Sequence, residues 1–310
     1  MRMFERFFGK KSSIDRVVGG SSKERKSADK EMERRFKDQE IPSLSDIELP
    51  KTPEVLEMIE IANRATDLLR EKYGLPEYRV PSENYHLIKE KNDNRMPQHG
   101  AFSVQRQAIA IKEDHLKSRL LSSLFHETVH FKSYASLHGD APDLIPRRSG
   151  LNMTIGKERE RAFGALNEAV TEELAKRFMR AQEDLPMLAD EMDLLQRGRE
   201  KYGAEEMEDI VAVEVKDHPT DRDLIKVAVY HFAYRREREA LRLLIDKLQE
   251  RNPQVFRDKE EWFDLFASAM FNGHLLELAR NIEKTFGEGS FRKLGEQKNG
   301  EELLKYVESL

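Results

Sequence analysis

The residues best suited to chemistry in this sequence are two histidines with a glutamate between them, in the pentapeptide His126-Glu127-Thr128-Val129-His130. On an α-helix, positions i and i+4 lie one turn apart on the same face, so both imidazoles can bind one metal ion. Glu127 is close enough to reach a water on that ion without being a ligand itself. This arrangement is typical of zinc-assisted hydrolysis with the glutamate as general base, and it predicts zinc as the cofactor.

A helix must position these side chains, and the surrounding sequence favours one. Residues 114–137 contain neither proline nor glycine, and Gly139 offers a C-terminal stop. Apolar residues recur at helical spacing through this stretch, at Leu116, Leu120, Leu121, Leu124, Phe125 and Val129. We therefore expect a mostly buried helix with its histidine-bearing face open.

A catalytic zinc ion takes three protein ligands and a water, so a third ligand is needed. The chain has no cysteine, which leaves histidine and carboxylate as the available donors. His138 is one candidate, but it lacks the glycine pattern that lets the chain turn in a three-histidine motif. Glu168 is the better candidate, because a helical pattern that resumes from Glu158 carries an apolar face able to pack against the first helix. Glu172, one turn later, is placed to accept a hydrogen bond from one of the two imidazoles.

The pentapeptide 126–130 and the segment Asn167-Glu168-Ala169-Val170-Thr171-Glu172 together resemble the two motifs of the gluzincin metallopeptidases. This is the thermolysin-like group whose second motif is Asn-Glu-x-x-Ser/Thr-Asp/Glu. The resemblance implies that His126, His130 and Glu168 are the zinc ligands. It also implies that Glu127 is the general base and that Glu172 is a carboxylate behind the ligands. It also implies an edge strand over Gly100 to Val104. The separate oxyanion-stabilising histidine or tyrosine of the family has no counterpart that a motif identifies here.

The region before the pentapeptide is predicted to hold a helix and a small sheet. The apolar spacing after Pro53 predicts an amphipathic helix that ends near Tyr73-Gly74. Short apolar runs between proline, asparagine and glycine then predict strands at 78–80, 86–88, 101–104 and 108–111. An edge strand beside a catalytic helix can hold an extended peptide by backbone pairing, so we predict Ala101 and Phe102 as substrate-binding residues.

The region beyond the pentapeptide is predicted to be mainly helical. Thr220 and Asp221 can cap a long helix that reaches about Glu250, and two shorter helices are predicted around Trp262 and Leu275. Three residues of the long helix are candidates for stabilising an oxyanion, namely Tyr230, His231 and Tyr234, and we favour Tyr234 as a catalytic residue. Plain packing is the alternative for each. The predicted fold is α+β, with a small sheet-bearing lobe at about 51–140 and a helical lobe at about 155–310 around the helix of the pentapeptide.

Composition limits the class of protein and its partners. The 310 residues are 38% hydrophobic and 36% charged, which is too polar for a membrane bundle. We find no signal peptide or transmembrane span and no cysteine, so we expect a cytoplasmic protein. The net charge of −5 predicts no specific nucleic-acid binding. A peptide or protein substrate is the expected partner.

The N-terminal residues 1–50 differ in charge from the metallopeptidase-like domain predicted at 51–310. Residues 1–37 contain twelve lysines and arginines against six aspartates and glutamates. This composition predicts a disordered basic tail, with a proline-containing linker at 42–53. Residues 1–11 could form an amphipathic turn in weak contact with an anionic membrane. A catalytically inactive binding module that acts through this tail is the alternative function.

Overall fold

The computed structural model describes residues 12–39, 44, 46–89, 99–138, 144–156, 160–205, 207–217 and 225–310. None of the helices within these ranges combines the length and the apolar content that crossing a bilayer requires. The predicted membrane contact of residues 1–11, the predicted helix cap at Thr220 and the predicted stop at Gly139 lie outside the described residues.

The elements follow one another in a clear order along the chain. The first part of the chain contains β1 (Arg16–Val18), α1 (Ser22–Lys37), β2 (Glu48–Leu49), α2 (Pro53–Lys72), β3 (Tyr85–Ile88), β4 (Gly100–Ser103) and β5 (Ala108–Lys112). The middle contains α3 (Lys117–Lys132), β6 (Ala135–His138), β7 (Ile145–Ser149), β8 (Asn152–Ile155), β9 (Glu160–Ala162), α4 (Gly164–Ala181), α5 (Ala189–Tyr202), β10 (Ile210–Asp217) and β11 (Ile225–His231). The last part contains α6 (Arg235–Arg251), α7 (Lys259–Asn272), α8 (Leu275–Phe286), α9 (Ser290–Glu296) and α10 (Gly300–Ser309).

The described strands form three sheets. One sheet has the order β2-β3-β5-β4, another has the order β1-β6-β7-β8-β9, and β10 pairs with β11 in an antiparallel ribbon. The predicted α+β fold is confirmed, because sheets and helices share the N-terminal part while α6–α10 form a largely helical C-terminal part. The predicted edge position of β4 is also correct, since β5 is its one partner among the described strands. Residues 78–80, which were expected to form a strand, lie outside the sheets.

Helix α3, which carries the pentapeptide, is the centre of the packing. It packs against α2 on one side, α4 on another, and strands β4 and β5. Its apolar side chains Leu121, Leu124 and Val129 are buried, as their helical spacing predicts. The helix ends at Lys132, earlier than predicted, because Ala135–His138 form β6 instead. Pairing of β6 with β1 and β7 supplies the backbone hydrogen bonds that a longer helix would have made.

The prediction of a disordered tail across residues 1–50 is wrong for the part that the structure describes. Ser21 and Glu24 form a reciprocal capping box at the start of α1. Three apolar residues at intervals of four, Ala28, Met32 and Phe36, give this charged helix a narrow face for packing, and Met32 is fully buried. Composition alone predicts disorder because it averages over all faces of a helix, whereas a single apolar stripe is enough for docking.

The prediction of one long helix from Thr220 to about Glu250 is also wrong. Residues 225–231 form β11, and α6 begins only at Arg235. Alternation of Val227, Val229 and His231 with small or polar neighbours fits strand geometry, and β10 provides the antiparallel partner. Strands β7–β9 likewise lie after residue 140, where the sheet-bearing lobe was expected to end. Helices α2, α7 and α8 lie where the sequence predicts them.

Candidate metal centre

Three side chains from two helices meet at the open face of α3. The Nε2 atoms of His126 and His130 are 3.0 Å apart. The Oε2 atom of Glu168, on α4, lies 3.3 Å from His126 Nε2 and 3.2 Å from His130 Nε2. These three residues form a group that could hold a metal ion.

The spacing of these donor atoms fits a metal ion. Ligands that sit about 2.0–2.1 Å from a tetrahedral zinc ion are about 3.3–3.4 Å from one another. The observed separations of 3.0, 3.2 and 3.3 Å come close to this value. Among the described residues, no fourth histidine or carboxylate joins the group, and three protein ligands with one open position are characteristic of catalytic sites.

His138 is not part of this group. It lies on β6, where it is paired with Val18 of β1 and Ile145 of β7. The chain leaves the helical path at Ser133, which has extended backbone angles, so His138 does not continue the helical face of His126 and His130. The structure therefore brings Glu168, rather than His138, to the two histidines.

Outer hydrogen bonds orient both imidazoles. His126 Nδ1 donates to Glu172 Oε2 at 2.7 Å, so a neutral His126 directs the lone pair of its Nε2 toward Glu168 and His130. The other carboxylate oxygen, Glu172 Oε1, accepts the backbone N–H of Ala233 at 2.7 Å. Behind His130, the side-chain amide of Asn167 lies 3.4 Å from Nδ1. Sequence reasoning predicted the position of Glu172 but not the contact with Ala233.

The electrostatics of the group favour positive charge between the carboxylates. Burial lowers the pKa of His126, but hydrogen bonds with Glu168 and Glu172 outweigh it and raise that pKa well above the usual range. Burial raises the pKa of Glu168, but His130 and His126 outweigh it and hold the pKa well below its usual range. A divalent cation would satisfy the same attraction, since buried carboxylates require a positive partner.

Glu127 lies beside the group without belonging to it. Burial raises the pKa of Glu127, and the neighbouring imidazoles of His126 and His130 lower it in part. The backbone N–H of Phe102, on the edge strand β4, donates to its carboxylate. A Cβ atom at Gly100 would lie 2.7 Å from Glu127 Oε1, so only glycine leaves room for this carboxylate against β4.

Tyr234 reaches the same group from the other side. Its ring is stacked on the ring of His126, with centroids 5.8 Å apart, and its hydroxyl is hydrogen-bonded to Glu168. Burial and the nearby carboxylates raise the pKa of Tyr234, so the hydroxyl remains a donor at neutral pH. It precedes α6 in a left-handed conformation with φ of 51°. Of the other candidates, Tyr230 donates to Glu214 at 2.9 Å and His231 lies on β11.

The group opens onto a cleft of about 2160 Å³. Ala101 and Phe102 of β4, the predicted substrate-binding residues, line one side, and the ring of Phe102 packs on Phe131 at 4.9 Å. Strands β7–β9 and helix α9 contribute to the lining, and so does α1, which sequence reasoning had assigned to a tail. The apolar stripe of α1 is the signal that could have identified it as part of the folded body.

Comparison of the chain with protein families, with curated proteins and with solved structures found no match. Function must therefore be argued from the geometry and chemistry of the site rather than from relatives. The residues that carry the argument are on α3, α4, β4 and the turn before α6.

Proposed function

We propose that this protein is a zinc-dependent peptidase. The observation that carries the proposal is the convergence of three metal-binding atoms, 3.0–3.3 Å apart, beside a buried glutamate that contacts an edge strand. Two histidines and one glutamate are a known donor set for catalytic zinc in metallopeptidases. A peptide bond is the substrate that this combination fits best, because an edge strand can pair with an extended peptide.

In the proposed reaction, His126, His130 and Glu168 hold the zinc ion. Zinc would supply Lewis-acid polarisation of the substrate carbonyl and would acidify a water. Glu127 accepts the proton of the attacking water and passes it to the nitrogen of the leaving amine. The N–H of Phe102 keeps the Glu127 carboxylate in a fixed orientation, and burial raises its pKa toward the range in which proton exchange is efficient.

Two further contributions would come from the sides of the cleft. The edge of β4 that no described strand covers would pair with the backbone of an extended substrate beside Ala101 and Phe102, through groups other than the Phe102 N–H, which binds Glu127. Tyr234, held beside His126 and Glu168, would donate its hydroxyl hydrogen to the developing oxyanion. Backbone pairing does not distinguish substrate side chains, so other parts of the cleft would determine which side chains are accepted.

A peptide-library cleavage assay tests the proposal. The wild-type chain loaded with zinc should cleave internal or terminal amide bonds, and a chelator should stop the cleavage. The Glu127→Gln variant should keep one zinc per chain and lose turnover. Absence of cleavage by the zinc-loaded wild type, or undiminished cleavage by Glu127→Gln, would reject the proposed mechanism.

A further inference from the structure

Arg238 is a buried arginine on α6 that has no contact with the metal-binding group itself. Its Nε donates to the carbonyl oxygen of Ala233 at 3.0 Å, and its Nη2 lies 3.4 Å from the carbonyl oxygen of Phe232. Arginine suits such a place because its planar guanidinium directs several donors at once in fixed directions. It therefore binds two successive carbonyls in the turn between β11 and α6.

Asp209 holds the same turn from the opposite side. Its Oδ1 is 2.6 Å from Arg238 Nη2, and its backbone carbonyl accepts the N–H of Phe232 at 3.0 Å. The negative charge of Asp209 balances the buried guanidinium, so the pair is electrically matched. The turn 232–234 is thus fixed through both its carbonyl and its amide groups.

This turn supplies two contacts to the metal-binding group. The N–H of Ala233 binds Glu172 Oε1 at 2.7 Å, and Glu172 Oε2 accepts the Nδ1 hydrogen of His126 at 2.7 Å. The next residue, Tyr234, has φ of 51° and stacks on His126. A tyrosine rarely adopts this left-handed conformation unless the surrounding structure holds it there.

We infer that Arg238 is a positioning residue for both His126 and Tyr234. By fixing the carbonyls of Phe232 and Ala233, it directs one amide hydrogen at Glu172 and one phenol at the site. The effect on site geometry is independent of any reaction, whereas the consequence for turnover rests on the proposed peptidase function.

The first test uses nuclear magnetic resonance on the metal-free chain. The variant Arg238→Met removes the donors and keeps an unbranched side chain. Arg236→Met is its matched control, because Arg236 is exposed and its ion pairs, with Glu239 at 2.9 Å and with Glu301 at 3.9 Å, lie at the surface. The ring hydrogen of His126 Nδ1, held by Glu172, should give a slowly exchanging signal in the wild type. It should be lost or exchange at least about tenfold faster in Arg238→Met and remain unchanged in Arg236→Met. An unchanged signal in a folded Arg238→Met chain would overturn the inference.

The second test is a double-mutant cycle on zinc affinity, measured by chelator competition. Arg238→Met should weaken zinc binding about tenfold, the lower end of the effect that outer partners of a metal ligand have. In the Glu172→Ala background, the same substitution should weaken zinc binding less, because the route to His126 through Ala233 and Glu172 is already removed and only the stacking of Tyr234 remains. Equal weakening in both backgrounds would show a merely structural role and would overturn the inference.

If Arg238→Met does not fold, Arg238→Lys replaces it in both tests. Lysine keeps the charge beside Asp209 but cannot bind the two carbonyls with one planar group, so the His126 signal should still exchange faster than in the wild type. The two proposals fail in different ways. A wild type that binds no zinc or cleaves no peptide counts against the proposed function, while the metal-free measurement on His126 decides the role of Arg238.

Discussion

Helix α3 contributes to two clusters of buried polar side chains, one around Lys132 and one around His126 and His130. The two clusters differ in how their hydrogen bonds are satisfied. At the end of the helix, Lys132 Nζ donates to the carbonyl of Asn63 at 2.8 Å and to Asp67 Oδ1 at 2.7 Å. Arg70 donates to the carbonyls of Lys132 and Pro76 at 2.7 and 2.9 Å. Every one of these contacts joins a donor to an acceptor.

On the cleft side of the same helix, acceptors face each other. Three lone-pair atoms, from His126, His130 and Glu168, lie within 3.3 Å of one another. With neutral imidazoles all three atoms would be acceptors, and a hydrogen bond needs a donor, so the group requires a proton or a cation. The raised pKa of His126 reflects this requirement for positive charge. The comparison teaches that buried charge alone does not indicate function. Converging acceptors indicate a cation site, whereas matched donors and acceptors indicate a structural role.

The largest expected effect is the loss of the candidate metal site itself. Replacing Glu168 with alanine removes one of three converging donors, so the chain should no longer bind zinc stoichiometrically and should lose peptidase activity. Metal content after dialysis, measured by atomic absorption, checks this. His138→Ala is the control and should keep one zinc per chain. Retention of zinc by Glu168→Ala would remove the distinction between the two polar groups of α3.

Next in size is the loss of Glu127, the proposed general base. Glu127→Gln keeps the shape of the side chain but cannot accept a proton, so kcat should fall by roughly 10²–10⁴-fold. Zinc affinity should stay close to that of the wild type, because Glu127 is not among the ligands. Steady-state kinetics with a quenched peptide measures kcat. A variant with normal kcat would assign the base to another group.

A substitution in the cluster around Lys132 should change the stability of the protein rather than its catalytic activity. Asp67→Ala leaves the fully buried Lys132 without its carboxylate partner, which should lower the free energy of unfolding by about 3 kcal/mol. Activity per folded molecule should be preserved, in contrast to both substitutions above. Urea denaturation, combined with activity at low denaturant, separates these effects. A stable but inactive Asp67→Ala chain would contradict the structural assignment.

A smaller effect is expected at the tyrosine on the edge of the cation site. Tyr234→Phe keeps the ring that stacks on His126 and removes the hydroxyl, so kcat should fall about 10²-fold, as for the loss of one oxyanion donor. KM should change little. Tyr230→Phe, which removes a hydroxyl bound to Glu214, is the matched control and should retain kcat. Equal kcat for Tyr234→Phe and the wild type would exclude Tyr234 as the donor.

The smallest expected effect is a pH dependence of stability. Burial lowers the pKa of Lys132 from 10.5 to about 8 in the folded chain. Between these values the unfolded chain binds more protons than the folded one, so the free energy of unfolding should rise with pH, by at most about 1.4 kcal/mol per unit. Denaturation of the wild type and of Lys132→Met from pH 7.5 to 9.5 isolates this contribution. Parallel curves for the two chains would show that Lys132 does not titrate in this window.

How far the sequence predicts the structure depends on whether a signal is local. Helix α3 and the site on it could be predicted, because the apolar spacing and the motif spacing both lie within one stretch of chain. Helix α1 could not be predicted from composition, since three apolar residues among many charges carry its docking. Strand β11 was missed because its partner β10 had not been identified, and strand pairing is a property of two segments rather than one.

The same reasoning applies within the site. His126, His130 and Glu168 were predicted correctly as a converging group, because two motifs with fixed internal spacing contain them. The contacts of Glu172 and Arg238 with Ala233 use the backbone of Ala233. Any residue type could provide these backbone groups, so the sequence gives no sign of the contacts. Gly100 was recognised as part of a strand, but its closeness to Glu127 arises only when β4 packs on α3.

The pairing of β1 with β6 also has a consequence for the order in which the molecule assembles during synthesis. The backbone N–H and the carbonyl of Ala135 bind Asp15, and Arg16–Val18 pair with Ser136–His138, so the first described strand has its partner about 120 residues later. A ribosome delivers the N-terminal segment first, but β1 has no strand to pair with until β6 has emerged. The sheet that begins with β1 is therefore completed only after the helix with the pentapeptide has been synthesised. A chain shortened to begin at residue 51 would lack the α1 side of the cleft and would leave one edge of β6 uncovered.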